Sequence, residues 1–549
     1  MRAANYQIID AKENSRSEAY GKAFVNFMGR MNGELSNLTM RGKLDVLGST
    51  DMRYILRDSP LSTDNQLDEL VKFTDFSDTT QTDAAYARFA SDLAELMEKL
   101  NIQEFKGDNL RELAIVLTMY YEDMISDLGI WNALTDTFQE LYGRQLPFYD
   151  VDMQNYYRNE PNVEDIRFLI WLLMTRTEPS AVVSPDTPAL EAAARTACSL
   201  MDKRFEDMPV NEELKEFFEK AEFAENFYAQ LDLMKWSFYA CYASCNENAP
   251  MLIRQQAQRL SQSLNCPPPI AMNVAESIAM FESRLQPLAM RPQDWLARIV
   301  RNNGNAEAAD KIASQRYLPF DFYRIVDSKK GESMTFESLR GDKFTLTDLT
   351  LSHPQTECYD SKSAMAFFVE YGGEFYLGSQ ASWSNNTEAF DAEKAQRKHN
   401  TTLCLEKRSK LIEQNSGSPL FYFNNADMLR LFLIERVGLS KRAVSQLTLP
   451  QDEVDFTVFV RESDFNVVYF PNVARLICDP RNPLYDAEYA KAHTFGNIFM
   501  LPGDMLRYLN AHDMLPEARI NCFGGEEEGR KVVKENFDFF ARMMQGSAY

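Results

Sequence analysis

The residues that decide the fold run from Phe320 to Asp348 and read FDFYRIVDSKKGESMTFESLRGDKFTLTD. Within them apolar side chains recur at every second position, which is the period of a β-strand with one buried face. The alternating pairs are Tyr323/Ile325, Met334/Phe336 and Phe344/Leu346. Gly331 and Gly341 lie between these runs, where turns are expected. The stretch predicts a small antiparallel β module.

A second part of this module is predicted over 366–379, which read AFFVEYGGEFYLGS. Gly372 and Gly373 separate two apolar runs of similar length. Both central positions of the favoured two-residue hairpin turn need a positive φ, which glycine adopts without steric cost. The pair therefore predicts a β-hairpin.

Before Phe320 the apolar residues recur every third or fourth position, which is typical of amphipathic helices. No fixed repeat length separates the segments, so no known helical repeat is identified, although a helical array stays open. Helices are predicted over 17–38, 82–100, 108–128, 162–177, 187–205, 211–245 (as one helix or two), 251–264, 271–284, 292–302 and 305–315.

After the β module the pattern is mixed. We expect helices over 386–414, 425–438, 502–512 and 526–544, and strands over 419–423, 455–460 and 465–470. The whole chain is therefore predicted to be α+β and predominantly helical. Its 549 residues suggest about three to four domains. We predict a helical region at 1–315, an SH3-like or OB-like barrel at 316–383, and a mixed α/β region at 384–549.

The composition indicates a soluble protein of a reducing compartment. The net charge is −23, which disfavours binding to a phosphate backbone. The beginning of the chain has no apolar core typical of a secretory signal, and the longest apolar run is too short to span a bilayer. The eight cysteines form no CxxC pair, so free thiols are expected. We predict a cytoplasmic protein that binds neither membranes nor nucleic acid.

Two pairs of residues were weighed as metal ligands. Cys241 and Cys245 face one way on a predicted helix, but zinc needs two further ligands, and two small buried residues explain the pair better. Asp150 and Asp152 resemble the acid pair that holds a divalent cation in some glycosyltransferases, but a solvated loop explains them as well. We expect no bound metal and no cofactor.

Catalytic motifs give little support for an enzyme. The segment FGGEEEGRK at 523–531 lacks a hydroxyl for magnesium and places three glutamates where phosphates would lie. His493 and His512 fall near predicted helix ends. A positively charged histidine there would interact favourably with the last carbonyl groups of the helix, and this structural role suffices to explain both residues. The segment NSGSP at 415–419 lacks the spacing of a nucleophile elbow. A nucleophilic cysteine stays possible, and the catalytic residues, if there are any, are not identified.

The most basic stretch is RKHNTTLCLEKRSK at 397–410. As a helix it can present Arg397, Lys398, Lys407, Arg408 and Lys410 to an acidic partner. A solvated face with pairs such as Glu393–Arg397 is the more common explanation for such a stretch.

Two segments, 162–218 and 528–544, resemble a family of uncharacterised proteins from gut Bacteroidetes. The residues that carry the resemblance are Glu164-Asp165 with Phe168-Leu169-Ile170-Trp171, and Asn536-Phe537-Asp538-Phe539. The two segments cover about a seventh of the chain and include no catalytic signature. The resemblance implies a helical first half, a small β module and a bacterial cytoplasmic setting, and it assigns no activity.

Two functions of different classes remain. The first is a non-catalytic interaction or scaffold protein with protein partners, since helical faces and a small barrel offer docking surfaces. Its exposed apolar patch is expected in NFYAQLDLMKWSFYACY at 226–242, although a core between helices explains this segment better. The second is an enzyme of unrecognised family, most plausibly a hydrolase, with its site between the helical region and the β module.

Overall fold

The computed structural model describes residues 81–100, 108–177, 184–239, 241–243, 249–264, 268–347, 358–378, 381–445, 447, 449–450, 454–461, 466–490, 501–515 and 526–544. The chain divides into two units, 1–387 and 388–549. The helix predicted over 17–38 lies outside the described residues.

The first unit begins with a helical region. Its helices are α1 (Gln81–Lys99), α2 (Asp108–Ser126), α3 (Ile130–Tyr142), α4 (Val163–Thr177), α5 (Pro188–Arg204), α6 (Glu212–Lys220), α7 (Phe227–Tyr239), α8 (Ala249–Leu264), α9 (Pro268–Glu282), α10 (Pro292–Asn302) and α11 (Ala306–Ala313). Large aromatic side chains such as Trp131, Trp171 and Trp295 are fully buried among them. The apolar period of three to four residues thus correctly predicted helices that bury one face.

Two details of the helical region go beyond the sequence-based expectation. Of the two alternatives for 211–245, one helix or two, the described residues show two, α6 and α7, because the chain makes a 3-10 turn at Glu222–Glu225 after Ala221, whose φ is 47°. Helix α3 is absent from the predicted helices. Gly129, whose φ is 75°, is the N-cap of α3, and only residues 127–129 separate α3 from α2.

The β module is a closed barrel. Its strands are β1 (Arg316–Lys329), β2 (Ser333–Glu337), β3 (Lys343–Thr347), β4 (Ser363–Tyr371), β5 (Glu374–Leu377) and β6 (Ser382–Ser384). The order is β1-β2-β3-β5-β4-β6, and β1 also pairs with β4, which closes the sheet. The module is not wholly antiparallel, because β3 and β5 run parallel. This connectivity is that of the OB-like alternative.

The barrel interior contains the alternating residues that predicted it. Tyr323, Met334, Phe336, Phe344 and Leu346 are all buried in one apolar core. Their polar neighbours in sequence point outward, as the period of two requires. The hairpin forms at Gly372 and Gly373, with φ values of 61° and 84°.

The barrel packs on the helical region through aromatic side chains. The ring of Phe227 in α7 stacks on Tyr376 in β5 with centroids 4.5 Å apart. The hydroxyl of Tyr371 donates to the carbonyl oxygen of Ala224 at 2.6 Å. On another side of the barrel, the hydroxyl of Ser277 in α9 donates to the carbonyl oxygen of Gly378 at 3.1 Å. Barrel and helices therefore form a single unit.

The second unit is mixed α/β, as predicted. It contains α12 (Glu388–Gln414), β7 (Leu420–Phe423), α13 (Ala426–Glu435), α14 (Lys441–Ser445), β8 (Phe456–Val460), β9 (Val467–Pro471), α15 (Gly503–Ala511), α16 (Glu526–Glu535) and α17 (Phe537–Met544). The strands form an antiparallel sheet in the order β7-β8-β9. One apolar cluster joins this sheet to α12 and α13 through residues such as Leu411, Leu429, Phe432 and Val458.

The single helix expected over 526–544 is in fact two, α16 and α17, which are separated by Asn536. The side chain of Asn536 is buried, and its Nδ2 atom donates to the carbonyl oxygen of Val532 at 2.8 Å. Such a side-chain bond to the preceding turn competes with regular helix hydrogen bonding. The division of the chain into three domains at 315 and 383 stays a prediction.

Candidate functional site: two buried carboxyl groups

The carboxyl group of Asp123, near the end of α2, caps the beginning of α3. Its Oδ2 atom accepts hydrogen bonds from the backbone N–H of Trp131 at 2.7 Å and the hydroxyl of Tyr242 at 2.6 Å. Its Oδ1 atom accepts one from the N–H of Ile130 at 3.1 Å. The first N–H groups of a helix have no partner within the helix, and the helix dipole favours a negative charge there. This site therefore suits an ionised carboxylate.

The carboxyl group of Asp165, in α4, is surrounded by neutral donors. The hydroxyl of Tyr120 in α2 lies 3.1 Å from its Oδ2 atom, and the hydroxyl of Tyr156 lies 3.2 Å from both carboxyl oxygens. The side-chain amide of Asn162 donates to Oδ2 at 3.2 Å. The indole N–H of Trp131 is buried nearby without a hydrogen bond of normal geometry.

Both carboxyl groups are fully buried, and their ionisation is shifted accordingly. Burial raises the pKa of Asp123 to about 6 and that of Asp165 to about 7, although hydrogen bonds to both oppose the shift. The short bonds to Asp123 have the length of charge-assisted hydrogen bonds, whereas the bonds to Asp165 are longer. Both carboxyl groups are therefore harder to ionise than an exposed aspartate.

A carboxyl group with a pKa near 7 can act as a general acid or base. Here Asp123 and Asp165 are each 0% exposed, and protein donors fill their surroundings. Burial also raises the pKa of the partner hydroxyls of Tyr120, Tyr156 and Tyr242, which keeps them neutral donors. In this arrangement Asp123 connects α2 to α3, and Asp165 connects α4 to α2.

The candidate metal-ligand pairs do not converge on this site. Asp150 is exposed, and Asp152 stabilises a turn by accepting hydrogen bonds from the N–H of Gln154 at 3.0 Å and the side chain of Asn155 at 2.7 Å. Cys241 is buried, whereas Cys245 lies outside the described residues. Among the residues that the structure describes, no group of three His, Cys, Asp or Glu side chains could hold a metal ion.

The other sequence-derived candidates are dispersed. His512 follows the last residue of α15, where it stacks on Tyr508 with ring centroids 4.1 Å apart. His353 and His493 lie outside the described residues, as do 523–525 of the glycine-rich segment. In the basic helix α12 the predicted pair forms, with Nε of Arg397 2.6 Å from Oε1 of Glu393.

The second unit has an ion pair between a buried acid, Asp479, and an exposed base, Arg481. The carboxyl group of Asp479 accepts two hydrogen bonds from the guanidinium of Arg481, both at 2.9 Å, and one from the hydroxyl of Tyr422 at 2.8 Å. Burial alone would raise the pKa of Asp479, but the hydrogen bonds from Arg481 hold it below its usual value. The hydrogen bond from Tyr422 connects β7 to the segment that follows β9.

The described side chains of the aromatic segment 226–242 form no exposed patch. Of these, Phe227, Leu233, Met234, Phe238 and Tyr242 are buried. They favour the core between helices over a docking patch.

Exposed apolar side chains lie close together on α13 instead. Met428 is 51% exposed and Leu431 is 48% exposed, and residues three apart on a helix are neighbours on its surface. Asp427 and Glu435 are also exposed on α13. We call Asp427, Met428, Leu431 and Glu435 the α13 surface. The opposite side of α13, with Leu429, is buried.

The outer face of β2 and β3 is polar. Thr335 and Thr345 share a hydrogen bond of 2.9 Å there, and Lys343 is exposed. The aromatic residues of these two strands, Phe336 and Phe344, are buried in the barrel. Single-stranded nucleic acids bind to exposed aromatic rings and basic grooves, which this face does not offer among its described residues.

Fold and buried groups together define a class of protein: a helical region that carries a closed β-barrel, followed by a mixed α/β unit. A family model described as "Protein of unknown function (DUF3843)" matches residues 68–319 and 384–545, about three quarters of the chain. The chain belongs to this family. No curated protein and no solved structure matches it.

The expected resemblance to an uncharacterised family is thus confirmed, over more of the chain than 162–218 and 528–544. The residues between the two matched segments, 320–383, are those of the barrel. In the part of the chain that the structure describes, no helix is both long and apolar enough to cross a bilayer.

The sequence did not reveal the roles of Asp123 and Asp165. In the sequence, Asp165 contributes to the family resemblance and Asp123 is one residue of the predicted helix over 108–128. A signal for Asp123 exists, since it precedes Gly129 by six residues and Gly129 begins a run with apolar residues at 130, 131, 134, 138 and 141. Nothing local to Asp165 indicates that Tyr120 and Tyr156 surround it.

Proposed function

We propose that this protein is a non-catalytic interaction protein of the bacterial cytoplasm that binds a protein partner through the α13 surface. The observation that carries the proposal is the exposure of Met428 and Leu431 within one turn of α13. Apolar side chains that are close together and exposed are typical of protein docking sites.

The charges beside this apolar pair indicate the chemistry of the partner. Asp427 is 91% exposed at its side chain and forms an ion pair with Arg430 at 3.0 Å, and Glu435 is exposed at the end of α13. A partner that places apolar side chains on Met428 and Leu431 and a basic side chain beside Glu435 would be complementary. An amphipathic helix with flanking lysines or arginines has this pattern.

The remaining parts of the chain support the same class of function. The described buried carboxyl groups act as connections between elements, and the polar barrel face is unsuited to stacking bases, which favours a protein over a nucleic acid as partner. The described cysteines Cys198, Cys241, Cys358 and Cys478 form no disulfide bond, which suits a reducing compartment. The hydrolase alternative stays a hypothesis.

The proposal is tested by affinity purification of the full chain from its native host, read by quantitative mass spectrometry. The double variant Met428→Glu/Leu431→Glu should lose a stoichiometric partner that the unsubstituted chain retains. Leu141→Glu is the matched control, because Leu141 is a 43% exposed leucine on α3. We expect this control to retain the partner.

The two outcomes are distinguishable once folding is checked by circular dichroism. Loss of the same partner from the double variant and from Leu141→Glu would show that the α13 surface is not specific. Retention by both variants, or no stoichiometric partner with any chain, would contradict the proposal. A small molecule that co-purifies in place of a protein would favour the enzyme.

A further inference from the structure

Strand β9 (Val467–Pro471) is an edge of the sheet in the second unit, because β8 is the only described strand beside it. Two backbone hydrogen bonds fix its register on β8. The N–H of Arg461 donates to the carbonyl oxygen of Asn466 at 2.8 Å. The N–H of Asn472 donates to the carbonyl oxygen of Asp455, also at 2.8 Å. Because hydrogen-bonded positions alternate in an antiparallel pair, the even-numbered residues of β9 are those that bond to β8.

The odd-numbered residues of β9 direct their backbone groups to the open side of the sheet. The N–H groups of Val467 and Tyr469 point there, as do the carbonyl groups of Val467, Tyr469 and Pro471. Within the described ranges, neither of the two N–H groups has a hydrogen-bond acceptor. Pro471 has no N–H group, which a sheet tolerates where the proline nitrogen faces away from the neighbouring strand. The open side therefore presents two donors and three acceptors.

The opposite edge of the sheet is partly covered by side chains. On β7 the N–H of Leu420 donates to Oγ of Ser418 at 3.2 Å, and the carbonyl oxygen of Leu420 accepts from the side chain of Asn415 at 2.7 Å. Many proteins protect an edge strand with charged residues instead. Residues 466–472 read NVVYFPN and carry no charge, although the whole chain has a net charge of −23. Two copies can therefore meet at β9 without opposing like charges within the strand.

We propose that two copies of this chain pair antiparallel through β9, about a two-fold axis beside Tyr469. In this register the N–H of Tyr469 donates to the carbonyl oxygen of Tyr469 in the second copy. The N–H of Val467 donates to the carbonyl oxygen of Pro471 in the second copy. Both outward donors of each copy then have an acceptor, and the missing N–H of Pro471 leaves only the carbonyl group of Val467 without a donor. The strand is thus complementary to itself, as a two-fold interface requires.

The side chains of β9 suit the same arrangement. Residues 467–470 are all half-buried, and Val467 and Tyr469 already pack against the apolar cluster of the second unit. Pairing places the two Tyr469 side chains directly opposite each other, with Cβ atoms about 5 Å apart. A two-fold pair occupies the open edge of both copies, so it forms a dimer and no larger assembly.

Sedimentation velocity of the full chain over a concentration series tests this, and we expect the unsubstituted protein to form a dimer. Tyr469→Lys removes the pair of opposed rings and places two like charges opposite each other, so it should raise the Kd of the dimer about tenfold. Asn466→Lys is the matched control, because it adds the same charge to the same strand. Its two copies lie six residue steps apart in the dimer, about 20 Å, so the Kd should change by less than about twofold.

A mixture of two variants separates the effect of charge from that of misfolding. Tyr469→Lys and Tyr469→Glu should each be largely monomeric at a concentration where the unsubstituted chain is a dimer. An equimolar mixture of the two should restore the dimer, because opposite charges then face each other across the axis. The double variant Met428→Glu/Leu431→Glu should form the dimer as the unsubstituted chain does, because the α13 surface takes no part in it.

Three results would overturn the proposal: a chain that is monomeric at every concentration, a Kd that Tyr469→Lys leaves unchanged, or a mixture that forms no dimer. A second variant applies should circular dichroism show that the substitutions at position 469 prevent folding. Val467→Pro removes an outward N–H group and no hydrogen bond to β8, so it should raise the Kd severalfold. An unchanged Kd for Val467→Pro would also refute the proposal.

Discussion

Replacing Asp123 by alanine tests most sharply whether the buried carboxylate acts as a helix connection. The substitution leaves three buried donors without an acceptor: the N–H groups of Ile130 and Trp131 and the hydroxyl of Tyr242. Each such donor costs about 1–3 kcal/mol, and removal of the buried charge offsets part of the total. We expect Asp123→Ala to lower the free energy of unfolding by about 3 kcal/mol.

The tryptophans make the assay specific to one unit. All five of them, at 131, 171, 236, 295 and 383, belong to the unit 1–387. Urea unfolding followed by tryptophan fluorescence at pH ~7.5 therefore reports on this unit alone. Tyr242→Phe is the matched control, because it removes one donor and keeps the carboxylate, so its cost should be only about 1 kcal/mol. A change below about 0.5 kcal/mol for Asp123→Ala would refute the reasoning.

Three further predictions concern packing and charge. Gly378→Ala would place a Cβ atom 2.5 Å from the ring of Phe367, so we expect a loss of about 1–3 kcal/mol in the same assay, partly restored by Phe367→Leu. Phe227→Ala removes the ring stacked on Tyr376 and should cost about 3–5 kcal/mol; an unchanged stability would contradict the interface. The lowered pKa of Asp479 stabilises the second unit above about pH 4, and this stability is lost as the pH falls through the folded-state pKa, so Asp479→Asn should flatten the acid limb of the unfolding curve measured by circular dichroism.

The barrel was predictable because its determinants are local. The alternation at Tyr323, Met334 and Phe344 and the paired glycines at 372 and 373 specify strands and a hairpin within a few residues of each other. The parallel pairing of β3 with β5 was not predictable, since it joins Leu346 to Phe375 and β4 lies between these residues in the sequence. Closure by β1 and β4 is likewise a pairing of distant segments.

The candidate site could not be predicted for the same reason. Asp165 acquires its properties from Tyr120 on α2 and from Tyr156 in the segment between α3 and α4, and these contacts arise only once the helices pack. An apolar period of three to four residues indicates which side chains of a helix face the core. It does not indicate which polar groups of different helices form hydrogen bonds with each other. The exposure of Met428 and Leu431 likewise depends on tertiary packing. In the sequence both residues continue the apolar pattern of α13, so they look like core residues.

The most direct test of the proposed function is site-specific photo-crosslinking in the native host, with a photoreactive residue at position 428. The account predicts that this chain forms one covalent adduct with a protein partner, and that the same residue at position 141 does not. The account is contradicted if position 428 yields no adduct, or if positions 428 and 141 yield the same set of adducts.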